Sequence, residues 1–184
     1  LAEYRLMATK RKQLLTDDSS GRVAILKTFV TTPLLDRIAG GYGIRCVNTP
    51  TGFKWMAKKM GKYENEALVE LKEKEGLSLD FDGTDLFARI DILMRYSTYV
   101  VLAAEESYGY LPLDVVRDKD GNASALAIAE LFAFLKSTQS SPLDFLDALY
   151  KKYGYHFEKT ENLYFEGAEG SATIAKLADS YRKT

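Results

Sequence analysis

Of 184 residues, one is cysteine, one is histidine, one is tryptophan and four are proline, and neither charge predominates, with 25 Lys and Arg against 26 Asp and Glu. Each scarcity excludes something. A single cysteine forms no internal disulfide, so nothing marks a secreted, disulfide-stapled scaffold, and a reducing cytoplasm is the expected compartment. One His and one Cys supply neither a zinc ligand set nor a cysteine–histidine dyad. A formal net charge of -1 and an isoelectric point near 6.0 lack the basic excess that nonspecific nucleic-acid or acidic-membrane binding requires. No apolar run approaches the roughly 18 residues of a membrane span. Neither nucleic acid nor membrane is therefore an expected partner. What is present, 46% hydrophobic and 28% charged residues, suits one generous globular domain, or one domain and part of another. The chain opens on Leu1 with no signal-peptide pattern after it, and the expectation is a piece of something longer.

Periodicity orders the elements. Residues 1–16 carry apolar side chains at Leu1, Tyr4, Leu6, Met7 and Leu14 among bases, as an amphipathic helix does. Asp17 to Gly21 is turn chemistry. Arg22 to Val30 is short, β-branched and apolar, a buried strand. Thr32 before Pro33 is a helix start, and Gly40, Gly41 and Gly43 end that helix. Ile44 to Asn48 is a second strand, which completes a βαβ unit. A helix from Thr51 to about Lys62 continues, solvated, to Gly76; Leu77 to Gly83 is a loop and Thr84 to Tyr96 is helical. Ser97 to Ala103 is the third strand, Asn122 to Lys136 an apolar helix, and Ser141, Pro142 and Asp144 open another. Beyond a boundary near Tyr153, His156 to Phe165 reads as a strand and Gly167 to Arg182 as a helix. The expected class is α/β: a three-layer α/β/α domain with a mixed sheet over residues 1–153, then a partial α+β segment over 154–184.

Several segments are candidates for chemistry. Ala104 to Pro112 (AEESYGYLP) follows the third strand at the sheet edge where α/β proteins bind ligands. Its two acids, serine and glycine can meet sugar hydroxyls, or form only a solvated loop. Asn48 to Met60 joins a strand to a helix through Thr51 and Gly52, with Lys54, Lys58 and Lys59 beside the helix start, as in a phosphate seat or an ordinary basic first turn. Val116 to Asn122 (VRDKDGN) is no calcium loop, because its sixth and twelfth positions are Ala123 and Ala129. It can still deliver Arg117 and Lys119 to an anion. The glycines of GGYG follow a helix, so they are no dinucleotide fingerprint. His156 reads as a structural or surface residue. Cys46 reads as a small core residue, and Trp55, Met56 and Met60 face the core by spacing. ENLYFEG (Glu161 to Gly167) differs by one residue from an engineered cleavage tag, but the helix after it favours a native strand.

Four collinear segments, VTTPLLDRIA with YGIRCVNTPTGFKW, EESYGY, VRDKDGN and YFEGAEG, together resemble the α-D-phosphohexomutase superfamily of phosphoglucomutases and phosphomannomutases. That family has four domains. The resemblance implies that residues 1 to about 153 are the third, which carries the sugar-recognition loop, and that the tail is the incomplete start of the fourth. It further implies that Glu105 and Ser107 contact hexose hydroxyls while Lys54 and Lys119 lie near the distal phosphate. Ala104 stands where glycine is usual, Tyr108 where some members have glycine, and the connection from about Glu64 to Arg95 is longer than in many relatives. The implied activity interconverts hexose 1-phosphate and 6-phosphate through a hexose 1,6-bisphosphate and a phosphoserine, with Mg2+ bound by a domain outside this chain. Hexose phosphates and the remaining domains of the same polypeptide are the implied partners. Nothing in the sequence resembles the family's phosphoserine, magnesium or fourth-domain phosphate loops, so residues 1–184 alone are expected to be inactive and to hold no catalytic residue and no metal. The alternative is a non-catalytic sugar-phosphate-binding or interaction module.

Overall fold

The structure, a computed structural model, describes all residues except Asp17, Tyr108, Asp114, Val115, Thr160 and Thr184, and leaves out the side chain of Ser20. Four strands form one sheet in the order β2-β1-β3-β4, with β1 at Val23–Thr28, β2 at Arg45–Thr49, β3 at Tyr99–Ala104 and β4 at Tyr110–Leu111. β1 runs parallel to both β2 and β3, whereas β4 returns antiparallel beside β3. All six residues of β1 and all six of β3 are buried, which is why these strands read as continuous apolar runs and not as alternating ones.

Helices cover both faces. On one lie α1 (Ala2–Arg11), α2 (Leu34–Gly41), α5 (Gly121–Ser137) and α6 (Pro142–Tyr153); on the other lie α3 (Phe53–Glu75) and α4 (Leu86–Tyr96). The expected three-layer α/β domain with a mixed sheet is what forms. α6 begins with a reciprocal cap between Ser141 and Asp144 and with Pro142 in its first turn, as its sequence dictates. The Thr32 hydroxyl accepts from the Leu34 N–H at the start of α2, 3.2 Å away.

Other expectations need correction. The first helix ends at Arg11 and not near residue 16, because Gln13 takes a positive φ of 58°. β1 stops at Thr28, and Phe29 and Val30 turn outward, 68% and 61% exposed. The helix expected from Thr51 to Gly76 does form, as one continuous element of 23 residues, Phe53–Glu75, ended by Gly76 in the left-handed conformation. Met56 and Met60 are buried as their spacing predicts, but Trp55, next to them on the helix, is 39% exposed. The ammonium groups of Lys54 and Lys58 stand 5.3 and 5.8 Å from its ring centroid, so cation–π contact takes the place of core packing. Cys46 is half-buried at the side of the core. Burial, with Asp36 beside it, pushes its thiol up to about 12.

The tail differs most. No strand forms among the described residues of 154–166, and α7 (Gly167–Arg182) buries only Gly170. A strand needs a neighbour to hydrogen-bond with, and β4 and β2 occupy the two edges of the sheet without pairing to it. Tyr155, Phe157, Leu163 and Tyr164 are all exposed.

The two ends of the domain meet at Glu3. Its buried carboxylate accepts from Tyr153 Oη at 2.8 Å, Lys152 Nζ at 3.0 Å and Tyr42 Oη at 3.2 Å, joining α1 to α6 and to the end of α2. Glu3→Ala leaves an ammonium and two half-buried phenols without that acceptor, and should destabilise the chain by about 1–3 kcal/mol. Urea unfolding checks this: an unchanged midpoint and slope would remove Glu3 from the structural account.

Candidate functional site

The three parallel strands deliver their carboxyl ends to one edge of the sheet, and β1 lies between the other two. This edge is where open α/β sheets build ligand crevices. It holds the β1–α2 turn (28–31), the β2–α3 turn (50–52) and the loop from β3 to β4 (105–109). Because Ala104 pairs with Tyr110, the last of these is the tip of a hairpin. The Glu105 N–H donates to the Gly109 carbonyl across it at 3.3 Å, and Gly109 takes a φ of 132°.

Glu105 is the hub. Its Oε1 accepts from the Gly52 N–H at 2.6 Å and its Oε2 from Lys119 Nζ at 3.2 Å, with the side chain 7% exposed. Gly52 precedes the first turn of α3, where backbone N–H groups lack helical partners and the helix dipole favours an anion. Its φ of 113° and ψ of 123° suit glycine. Lys119 also approaches Asp118 at 3.4 Å and lies 4.6 Å above the Phe53 ring. Burial alone would lower the Lys119 pKa, but its bonds to Glu105 and the charges of Glu105 and Asp118 outweigh this and hold it above the usual value.

Sequence-based candidates therefore come together only in part. Glu105 and Lys119 are bonded to each other, and Lys54, two residues from Gly52, is exposed beside Trp55 with no ion pair among the described residues. Arg117 is held by Glu64 of α3. Ser107 is exposed and donates to Glu106 Oε1 at 3.3 Å. Tyr108, whose presence departs from some family members, lies outside the described residues.

A second cluster has no counterpart in the sequence reading. Glu106 Oε2 accepts from Thr28 Oγ1 at 2.8 Å and lies 3.4 Å from Thr31 Oγ1, while the two threonine hydroxyls share a bond of 2.7 Å. Beneath them Lys27, 3% exposed, donates to the Thr31 carbonyl at 2.9 Å and pairs with Asp36 at 3.1 Å. The available signal was two threonines three apart at the end of a buried strand, a spacing that brings both hydroxyls together only if the strand ends between them.

Known proteins agree with this architecture. The domain family described as Phosphoglucomutase/phosphomannomutase, alpha/beta/alpha domain III matches residues 3–70 and 90–153. The chain belongs to that family. The unmatched residues 71–89 fall inside the connection expected to be long. Among similar proteins are a human phosphopentomutase (29% identity over 158 residues, 86% of this chain) and a mouse glucose 1,6-bisphosphate synthase (30% over 138 residues, 75%). A phosphoglucomutase of Staphylococcus saprophyticus is 27% identical over 177 residues, 96% of this chain. This chain spans only 20%, 17% and 27% of the three, in that order. The family works with Mg2+ and sugar bisphosphates, yet no group of three or more His, Cys, Asp or Glu suited to a metal ion exists among the described residues. No helix of the described residues is long and apolar enough to cross a membrane.

Two outcomes follow from this geometry. Alanine at Gly52 would meet only ordinary contacts at 3.9 Å, so its penalty is conformational; Gly52→Ala should lower stability by about 1–3 kcal/mol in chemical unfolding, and a neutral substitution would refute the strain. Glu106 has a depressed pKa, set first by its own backbone N–H, with burial opposing and Thr28, Ser107 and Thr31 adding to the depression. Its stabilising contribution is thus complete above the ordinary glutamate range and disappears as pH falls through the lower folded-state value. Melting temperature followed from roughly pH 6 to pH 3 should fall less steeply for Glu106→Gln than for the wild type. Superimposable curves would contradict that assignment.

Proposed function

We propose that residues 1–153 are the sugar-reading domain of a phosphomutase that interconverts hexose 1-phosphate and 6-phosphate through a bisphosphate intermediate. The observation that carries this reading is Glu105, fixed between the α3 amino terminus and Lys119 at the ligand-binding edge of a domain III sheet. A carboxylate has about four acceptor positions. Two are used by Gly52 and Lys119, and the others are left for sugar hydroxyls. Ser107, whose hydroxyl proton goes to Glu106, keeps its oxygen free to accept from a sugar hydroxyl next to them. Lys119 and Lys54 supply positive charge for the phosphate that does not react.

On this reading the domain binds and orients and does not itself transfer phosphate. Its loop must accept the sugar in both orientations of the bisphosphate, which contacts to near-equivalent hydroxyls allow. Residues 154–184 are read as the start of a further domain, whose partner strands lie elsewhere in the polypeptide. Because relatives carry the names of a pentose mutase, a glucose bisphosphate synthase and a glucose mutase, pentose and hexose phosphates are assayed side by side.

In the full-length protein, Glu105→Ala and Ser107→Ala should each lower kcat/KM for glucose 1-phosphate or mannose 1-phosphate by about tenfold or more, as loss of a charged or neutral hydrogen bond does. Ribose 1-phosphate is assayed alongside. Residues 1–184 alone should show no turnover of any of them. Normal activity in both variants sinks the loop assignment, and a full-length protein that binds these sugars without converting them favours the non-catalytic module.

A further inference from the structure

Glu106 stands between the two residues read as sugar contacts, yet its carboxylate faces a different strand end. We propose that Glu106 is a positioning residue, a clamp that fixes the sugar loop to the β1–α2 turn through Thr28 and Thr31 and orients Ser107. The inference rests on reading residues 105–109 as the sugar loop.

Thr28 is fully buried and Thr31 is 6% exposed. Their hydroxyls carry two protons, and the bond between them consumes one. Glu106 Oε2 is the acceptor for the other. Without it a buried hydroxyl keeps a proton with no recorded acceptor among the described residues, an arrangement that folded proteins avoid. The anchor is also rigid. The turn is closed by the Thr31 N–H donating to the Thr28 carbonyl at 3.1 Å, and Lys27 ties the Thr31 carbonyl to Asp36. Glu106 therefore grips an anchor that cannot follow the loop if the loop shifts. The carboxylate itself is divided between two tasks. One oxygen holds the threonines while the other accepts from Ser107 Oγ at 3.3 Å. Only an ionised acid accepts on both oxygens; glutamine has one acceptor oxygen and can serve one side alone. Adjacent acids thus pull the loop in two directions, Glu105 toward α3 and Lys119, Glu106 toward β1.

The test uses the full-length protein with Glu106→Ala, Glu106→Gln, the pair Thr28→Val with Thr31→Val, and Glu105→Ala as the control. Initial rates with glucose 1-phosphate and mannose 1-phosphate are combined with hydrogen–deuterium exchange over residues 104–111. Glu106→Ala should raise KM about tenfold while kcat changes less than about threefold, because a misplaced loop weakens ground-state and transition-state binding alike. Exchange in the loop should accelerate. Glu106→Gln should lie between wild type and alanine, and serves as the test if the alanine variant fails to fold. The threonine pair should reproduce the KM shift, and adding Glu106→Ala to it should change little more. Additive effects would mean that Glu106 touches the sugar itself, and the clamp would be wrong. Wild-type KM and exchange in Glu106→Ala, with Glu105→Ala impaired, would overturn the clamp alone. A silent Glu105→Ala would overturn the sugar-loop reading beneath it.

Discussion

A single ammonium group governs how this domain is put together. Lys27 belongs to a strand whose six residues are all buried, and an unpaired charge in such surroundings costs several kcal/mol in desolvation. Asp36 from α2 and the carbonyl of Thr31 meet it, so the strand, the turn and the helix that follow are tied at one point. The pair opens to solvent only on the Asp36 side, which is 38% exposed. The strand order then places β2 and β3 on either side of this fixed element, and the loops that end those strands are positioned against it.

From there the crevice is assembled by charge. The amino terminus of α3 and Lys119 present positive character, and Glu105 occupies the space between them. Lys119 is held further by Asp118 and by the face of Phe53, so the position of the cation is fixed from three sides. Arg117, two residues earlier, is drawn instead to Glu64 on α3. Neighbouring basic residues of one turn thus serve different purposes. One completes the crevice and the other fastens the turn to the helix layer.

Much of this was legible in the residues, and the exceptions have physical causes. Strands such as VAILKT and YVVLAA announce burial on both faces, and caps such as Ser141-Pro142-Asp144 act locally, so their outcome needs no tertiary knowledge. Trp55 departs from the face its spacing predicts because helical period says which residues share a face but not how far the neighbouring layer extends, and two lysines can shelter a ring at the margin. The segment from His156 to Phe165 has the composition of a strand, but pairing is decided by a partner and not by composition. The Thr28–Thr31–Glu106 cluster was hidden because it joins residues 78 positions apart, a separation that no local pattern reports. Conversely, Glu105 and Lys119 were legible as candidates from the loops that carry them, and the fold brings the two into direct contact.

The hairpin that carries residues 105–109 also has a thermodynamic consequence. Its stems are strands of the main sheet, with Ala104 opposite Tyr110 and Ala103 opposite Leu111, so only five residues separate two fixed points. Most of the chain entropy that a free loop would surrender on meeting a ligand is lost when the domain folds. Binding at such a tip spends little of its free energy on ordering the protein. A tip held in this way offers walls that are stiff, against which contacts can be individually modest.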